Sequence, residues 1–189
     1  MLLFIENFDS FSYNIIGAIE KFYKNIKIFE KNKITLEKAI ELKPTFLVIG
    51  PGPGNPKDTE ISIQLVKYFY NKIPILGICL GHQVIAKVFG SKIIKSKNPM
   101  HGKTSKIIHQ NRNLFKNTKQ NPKIIRYNSL TIDKQTLSED FEIDAEDYNG
   151  EIMAISHKKY PIYGIQFHPE SILTEEGDKI FQSFFLQSS

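Results

Sequence analysis

Four-residue runs whose side chains carry no polar atom, Leu2-Leu3-Phe4-Ile5, Phe46-Leu47-Val48-Ile49 and Ile75-Leu76-Gly77-Ile78, restrict the fold of this chain more than any other feature. A strand with one face in water alternates apolar and polar residues, so a run that does not alternate needs cover on both faces. A parallel sheet flanked by helices provides that cover. The segments between the runs supply the helices. Phe11, Ile15, Ile19 and Phe22 recur at helical spacing, with Asp9 or Ser10 placed to cap them. Ile26 to Phe29 reads as strand, Leu36 to Leu42 as a short helix and Ile61 to Tyr70 as a longer one. This alternation predicts an α/β fold with an open, mostly parallel, doubly wound sheet.

The texture changes after Gly90. Lys92 to Ile94, Thr104 to His109, Ile124 to Tyr127, Phe141 to Ala145, Ile152 to Ser156 and Ile162 to Gln166 read as strands with no long helices between them. Antiparallel additions in the C-terminal half are therefore expected, closed by a helix over Lys179 to Leu186. The polar stretch from Asn111 to Pro122 reads as a flexible surface segment. With no internal repeat and no linker, the 189 residues are expected to form a single domain, 1–189.

The apolar runs are far shorter than the roughly 20 residues that cross a bilayer, and Met1 to Asn7 lacks the basic start of a secretory signal. A cytoplasmic protein with no membrane contact is the expectation. The net charge of +5 invites a nucleic-acid partner, but only Arg112 and Arg126 among 25 basic residues are arginine, so 25 − 2 = 23 are lysine. Bidentate reading of phosphates and bases leans on arginine, and the lysines are scattered, so no nucleic-acid partner is expected. The single cysteine excludes an internal disulfide and a cysteine-built zinc site. It is either a buried thiol or a reactive one.

Cys79 falls in Gly77-Ile78-Cys79-Leu80-Gly81, where a buried strand turns into a helix beginning near His82. A nucleophile on such an elbow sits in a strained backbone, and small residues two positions away on each side relieve clashes. The helix N-terminus favours a thiolate and offers N–H groups to an oxyanion. A structural cysteine beside two turn glycines also fits this window. Gly50-Pro51-Gly52-Pro53-Gly54 ends the preceding buried strand, where open α/β sheets bind ligands, although any tight loop can have this composition. His168-Pro169-Glu170 ends the last strand. Histidine can deprotonate a thiol and protonate a departing amine, and a carboxylate two residues on can orient it.

Taken jointly, Gly77-Ile78-Cys79-Leu80-Gly81-His82-Gln83, Phe167-His168-Pro169-Glu170 and Pro51-Gly52-Pro53-Gly54 resemble the three signatures of class I glutamine amidotransferases, in the family's order and across essentially the whole chain. Asn7-Phe8-Asp9-Ser10-Phe11-Ser12-Tyr13-Asn14, His101-Gly102-Lys103, Arg126-Tyr127-Asn128-Ser129-Leu130 and His168-Pro169-Glu170-Ser171 are similar to the glutaminase subunits of anthranilate and aminodeoxychorismate synthases. The resemblance implies glutamine hydrolysis through a γ-glutamyl thioester on Cys79, with His168 as acid and base and Glu170 orienting it. It also implies that Gly52 and Leu80 bind the oxyanion, and that Gln83, Ser129 and Leu130 hold the ends of the substrate. Ammonia would pass to a larger chorismate-binding synthase subunit in a heterodimer or heterotetramer, with no cofactor and no metal. The alternatives are the glutaminase subunit of GMP synthetase, against which Asp9-Ser10-Phe11 and Tyr127 to Leu130 speak, and a non-catalytic regulatory relative. Relatives usually carry histidine at Asn128 and aspartate at Glu6. By the same resemblance His82 is structural, while His101, which can face a partner, His109 and His157 have no catalytic case.

Overall fold

A computed structural model describes residues 1–187; Ser188 and Ser189, the end of the expected 1–189 span, lie outside the described residues. Nine strands form one sheet: β1 (Leu2–Glu6), β2 (Ile26–Glu30), β3 (Phe46–Ile49), β4 (Ile75–Ile78), β5 (Ile93–His109), β6 (Lys123–Ile132), β7 (Phe141–Asp147), β8 (Ile152–His157) and β9 (Ile162–Ile165). Their order is β2-β1-β3-β4-β9-β8-β7-β5-β6. Every pairing from β2 through β9 is parallel, and every pairing from β9 to β6 is antiparallel. The mixed α/β sheet expected from the apolar runs is what the chain forms.

The runs fail to alternate because each strand feeds two cores. Leu2, Phe4, Val48, Leu76 and Ile78 point to one face, where they meet α1 (Ser12–Ile19) and α5 (Gly177–Gln187) through Ile15, Ile19, Phe181 and Phe184. Leu3, Ile5, Leu47, Ile49 and Ile75 point to the other, against α2 (Leu36–Glu41), α3 (Glu60–Phe69) and α4 (Leu80–Val88) through Ala39, Leu65, Val66, Val84 and Ile85. Burying each Leu, Ile or Phe fully stabilises by about 1.5–3 kcal/mol.

Three local expectations need correction. Neither Asp9 nor Ser10 caps α1: Phe11 holds the N-cap position without a side-chain bond. Glu6 and Asp9 together organise this turn: Glu6 Oε1 accepts from the Asp9 N–H at 2.7 Å and from the Ser12 hydroxyl at 3.1 Å, and Asp9 Oδ1 accepts from the Phe11 N–H at 2.8 Å. A carboxylate at a helix start also suits the helix dipole, and Phe22 lies beyond the helix end. Second, the expected strands Lys92–Ile94 and Thr104–His109 are one 17-residue strand, β5, whose pairing with β6 shifts register between Lys95 and Met100 and between His101 and Lys103. Third, the segment Asn111–Pro122 is anchored: Leu114 and Phe115 are buried in the core, and Arg112 and Asn113 bond Asp144.

Candidate active site

Cys79 follows β4 with φ 54° and ψ −101°, a region that L-residues avoid. Its neighbours make the turn possible. A Cβ on Gly77 would lie 2.4 Å from the Gly81 carbonyl oxygen, and one on Gly81 would lie 2.2 Å from that of Ile49. The Cys79 N–H donates to the Ile165 carbonyl at 2.8 Å, tying the elbow to the end of β9. The thiol is buried at the N-cap of α4, where the positive end of the helix dipole favours an anion.

β9 also delivers the histidine. His168 donates its backbone N–H to the Ile125 carbonyl, and its Nδ1 meets Glu170 Oε1 at 2.7 Å, with both side chains buried. Burial alone would push the imidazole pKa down, but the Glu170 hydrogen bond and the charges of Cys79 and Glu170 outweigh it and lift the value to about 10. With Nδ1 on Glu170, Nε2 is the ring nitrogen left for Cys79, and it makes no hydrogen bond among the described residues. Phe11 and Tyr127 pack edge-on around the ring at 5.7 and 5.2 Å and shield it from water.

Cys79 opens onto a cavity of about 220 Å³ lined by Gly52, Pro53, Gly54, Leu80, Gln83, His101, Tyr127, Asn128, Ser129 and Leu130. That is below the range of about 300–1,000 Å³ typical of sites for drug-sized ligands. Gly52 is required by packing, because a Cβ there would come within 2.5 Å of Asn7. Asn7 also fixes the loop start by donating Nδ2 to the Gly50 carbonyl at 3.0 Å. Every binding candidate read from the sequence therefore lines one cavity, while His168 and Glu170 stand behind Cys79.

Sequence reasoning missed a polar network under this cavity. Gln83 Nε2 donates to the Leu130 carbonyl at 3.0 Å and to Gln166 Oε1 at 2.9 Å; Gln166 Nε2 in turn donates to the Cys79 sulfur at 3.7 Å. Asn128 Nδ2 reaches the same Leu130 carbonyl at 3.0 Å, and its Oδ1 accepts from Arg126 Nε at 3.0 Å. Arg126 is fully buried and paired with Asp147 at 2.6 Å and with Glu151. Glu151 also accepts from the Ser96 hydroxyl at 2.5 Å and the Lys97 N–H at 3.1 Å, which pins the first register shift of β5.

The remaining histidines occupy different settings. His101 is exposed on the cavity rim. His82 is fully buried against Gly164, and desolvation pushes its pKa down to about 3, so it stays neutral. His109 holds the Lys119 carbonyl, and His157 Nδ1 accepts from the Lys159 and Tyr160 N–H groups.

The sequence profile of the family "Glutamine amidotransferase class-I" matches residues 3–188. The chain is 42% identical over 184 residues to the aminodeoxychorismate/anthranilate synthase component 2 of Bacillus subtilis, covering 97% of this chain and 95% of that one. It is 46% identical over 186 residues to the bifunctional protein TrpGD of Thermotoga maritima, covering 97% of this chain but spanning only 31% of that longer protein. Among solved structures it resembles a GMP synthase subunit of Thermoplasma acidophilum, with a TM-score of 0.84, 26% identity, and coverage of 97% and 92% of the two chains.

Proposed function

The chain belongs to the class-I glutamine amidotransferase family, and on that premise we propose that residues 1–189 act as one glutaminase domain supplying ammonia to a chorismate-using synthase subunit. The observation that carries the reading is the buried Cys79–His168–Glu170 constellation opening onto a cavity of amino-acid size. The identity of 42% to a component 2 of aminodeoxychorismate/anthranilate synthase, against 26% to the GMP synthase subunit, favours the chorismate branch.

In this reading glutamine enters with its side-chain amide toward Cys79. Gln83 uses both Nε2 hydrogens on Leu130 and Gln166, so Oε1 is what it offers the substrate's ammonium. The Leu130 carbonyl already accepts two bonds, and Ser129 falls where the β5–β6 ladder shifts register, leaving its backbone N–H to turn toward the α-carboxylate. The thiolate attacks the amide carbonyl, and the oxyanion is held by the N–H groups of Gly52 and Leu80. His168, charged because of its anionic neighbours, gives its proton to the departing nitrogen as the C–N bond breaks. Acylation of the sulfur removes one of those anions, so the imidazole then binds its proton less tightly and can act as base. Water adds to the thioester, the C–S bond breaks, and glutamate leaves. Released ammonia is useful only to an acceptor substrate, which is the chemical reason for a heteromeric partner. A catalytic thiol must also stay reduced, in keeping with a cytoplasmic setting.

The test is Cys79→Ser in the complex with the synthase. Glutamine-dependent product formation is expected to vanish, while synthesis from added ammonium salt continues. Retained glutaminase activity would sink the assignment. His168→Ala is expected to be comparably severe and Glu170→Gln milder, because members of a catalytic unit do not contribute additively.

A further inference from the structure

Gln166 is fully buried at the end of β9, and both ends of its amide are engaged. A buried amide is costly unless bonded, and an apolar residue of the same length would fill the space without that cost. What it bonds is therefore informative. An amide can face either way, and only one way serves an anionic sulfur, since Nε2 attracts it and Oε1 repels it. The direction here is set at a distance. The Leu130 carbonyl can only accept, so Gln83 must turn Nε2 toward it; the second Nε2 hydrogen of Gln83 then points to Gln166 Oε1 at 2.9 Å. That leaves Gln166 Nε2 toward Cys79, at 3.7 Å. The backbone fixes the reach, because the Gln166 N–H bonds the Met153 carbonyl and the preceding carbonyl, of Ile165, accepts from Cys79.

We infer that Gln166 is a thiolate-stabilising donor whose orientation is dictated through Gln83 by the Leu130 carbonyl. Gln83 thereby also acts on the nucleophile, through Gln166. The inference rests on the proposed function only in taking Cys79 as the nucleophile.

The experiment uses the free chain, without glutamine or synthase, so its outcome is separable from that reading. Cys79 is the only cysteine, and iodoacetamide labelling therefore reports it alone. Labelling rates are measured from pH 5 to pH 10. Gln166→Met keeps the length and removes the donor. It is expected to label about tenfold more slowly at pH 6, with the gap closing at high pH where both thiols are ionised. Gln166→Glu keeps the acceptor for Gln83, sets a carboxylate beside the sulfur, and is expected to slow further at low pH. Gln83→Met, at a side chain that hydrogen-bonds Leu130 and Gln166 rather than the sulfur, is expected to slow low-pH labelling as well, because the Gln166 amide is released to turn. A folded Gln166→Met or Gln166→Glu protein labelling at the wild-type rate at pH 6, or slowed equally at every pH, overturns the donor role. A wild-type rate in Gln83→Met overturns the relay.

Discussion

Asn128 accepts from a buried guanidinium and donates to a backbone carbonyl on the cavity wall. A neutral imidazole has the same one acceptor and one donor, on its two ring nitrogens. Asn128→His is therefore expected to change the glutamine KM by less than tenfold, about 1.4 kcal/mol. Asn128→Leu has neither group and leaves Arg126 Nε unpaired, so urea unfolding is expected to show a loss of about 1–3 kcal/mol. A large KM change in the histidine variant would show that this position tunes the cavity directly. The proposed reactive residues are legible in the sequence because they are scarce types in tight spacing: one cysteine between glycines, and a histidine two residues before a glutamate. Gln166 is not, since a glutamine at a strand end looks like any polar position until a sulfur 87 residues away is placed beside it. Arg126 is equally silent as a buried charge, because its carboxylates lie 21 and 25 residues further on.

Among the elements, β3 and β4 have the limits that the sequence suggests, because apolar runs bounded by Gly or Pro have sharp edges. β5 reads as two strands because Asn98, Pro99 and Gly102 are turn formers, and only the partner strand and Glu151 carry the pairing past them. The segment 111–122 misleads for a different reason. Its composition is polar, but two adjacent apolar residues, Leu114 and Phe115, anchor it, with the Phe115 ring stacked on His109 at 5.0 Å and tilted against Phe167 at 6.4 Å. Phe115→Ala is expected to cost about 3–5 kcal/mol in chemical denaturation. A cost under about 0.5 kcal/mol, typical of surface positions, would restore the flexible reading.

For the molecule as a whole, the parallel half is legible from buried runs, while the antiparallel half is legible in kind but not in order. Pairing of distant strands leaves no local trace in sequence. The cavity sits where the two halves meet, with Cys79 from the first and Asn128 to Leu130 from the second. β5 crosses that rim with exposed Lys95, Lys97, Lys103 and Lys106, and no acidic residue lies between Ile93 and His109. A synthase docking across this rim would brace the Gly52–Gly54 loop and β6 together, as closure steps do in other enzymes. Glutaminase kcat is therefore expected to rise from the chain alone, to the chain with synthase, to the complex with chorismate. Equal rates in all three would favour a stand-alone hydrolase.

The place of β9 in the sheet has a consequence for biosynthesis. It lies between β4 and β8, yet it follows both along the chain. While a ribosome is still adding residues between 80 and 160, β4 presents a bare apolar edge of the kind that pairs with other chains. Over the same interval Cys79 has neither Gln166 nor His168 beside it. The segment that covers this edge, β9, and the residues that flank Cys79, Gln166 and His168, thus come from one late stretch of the chain.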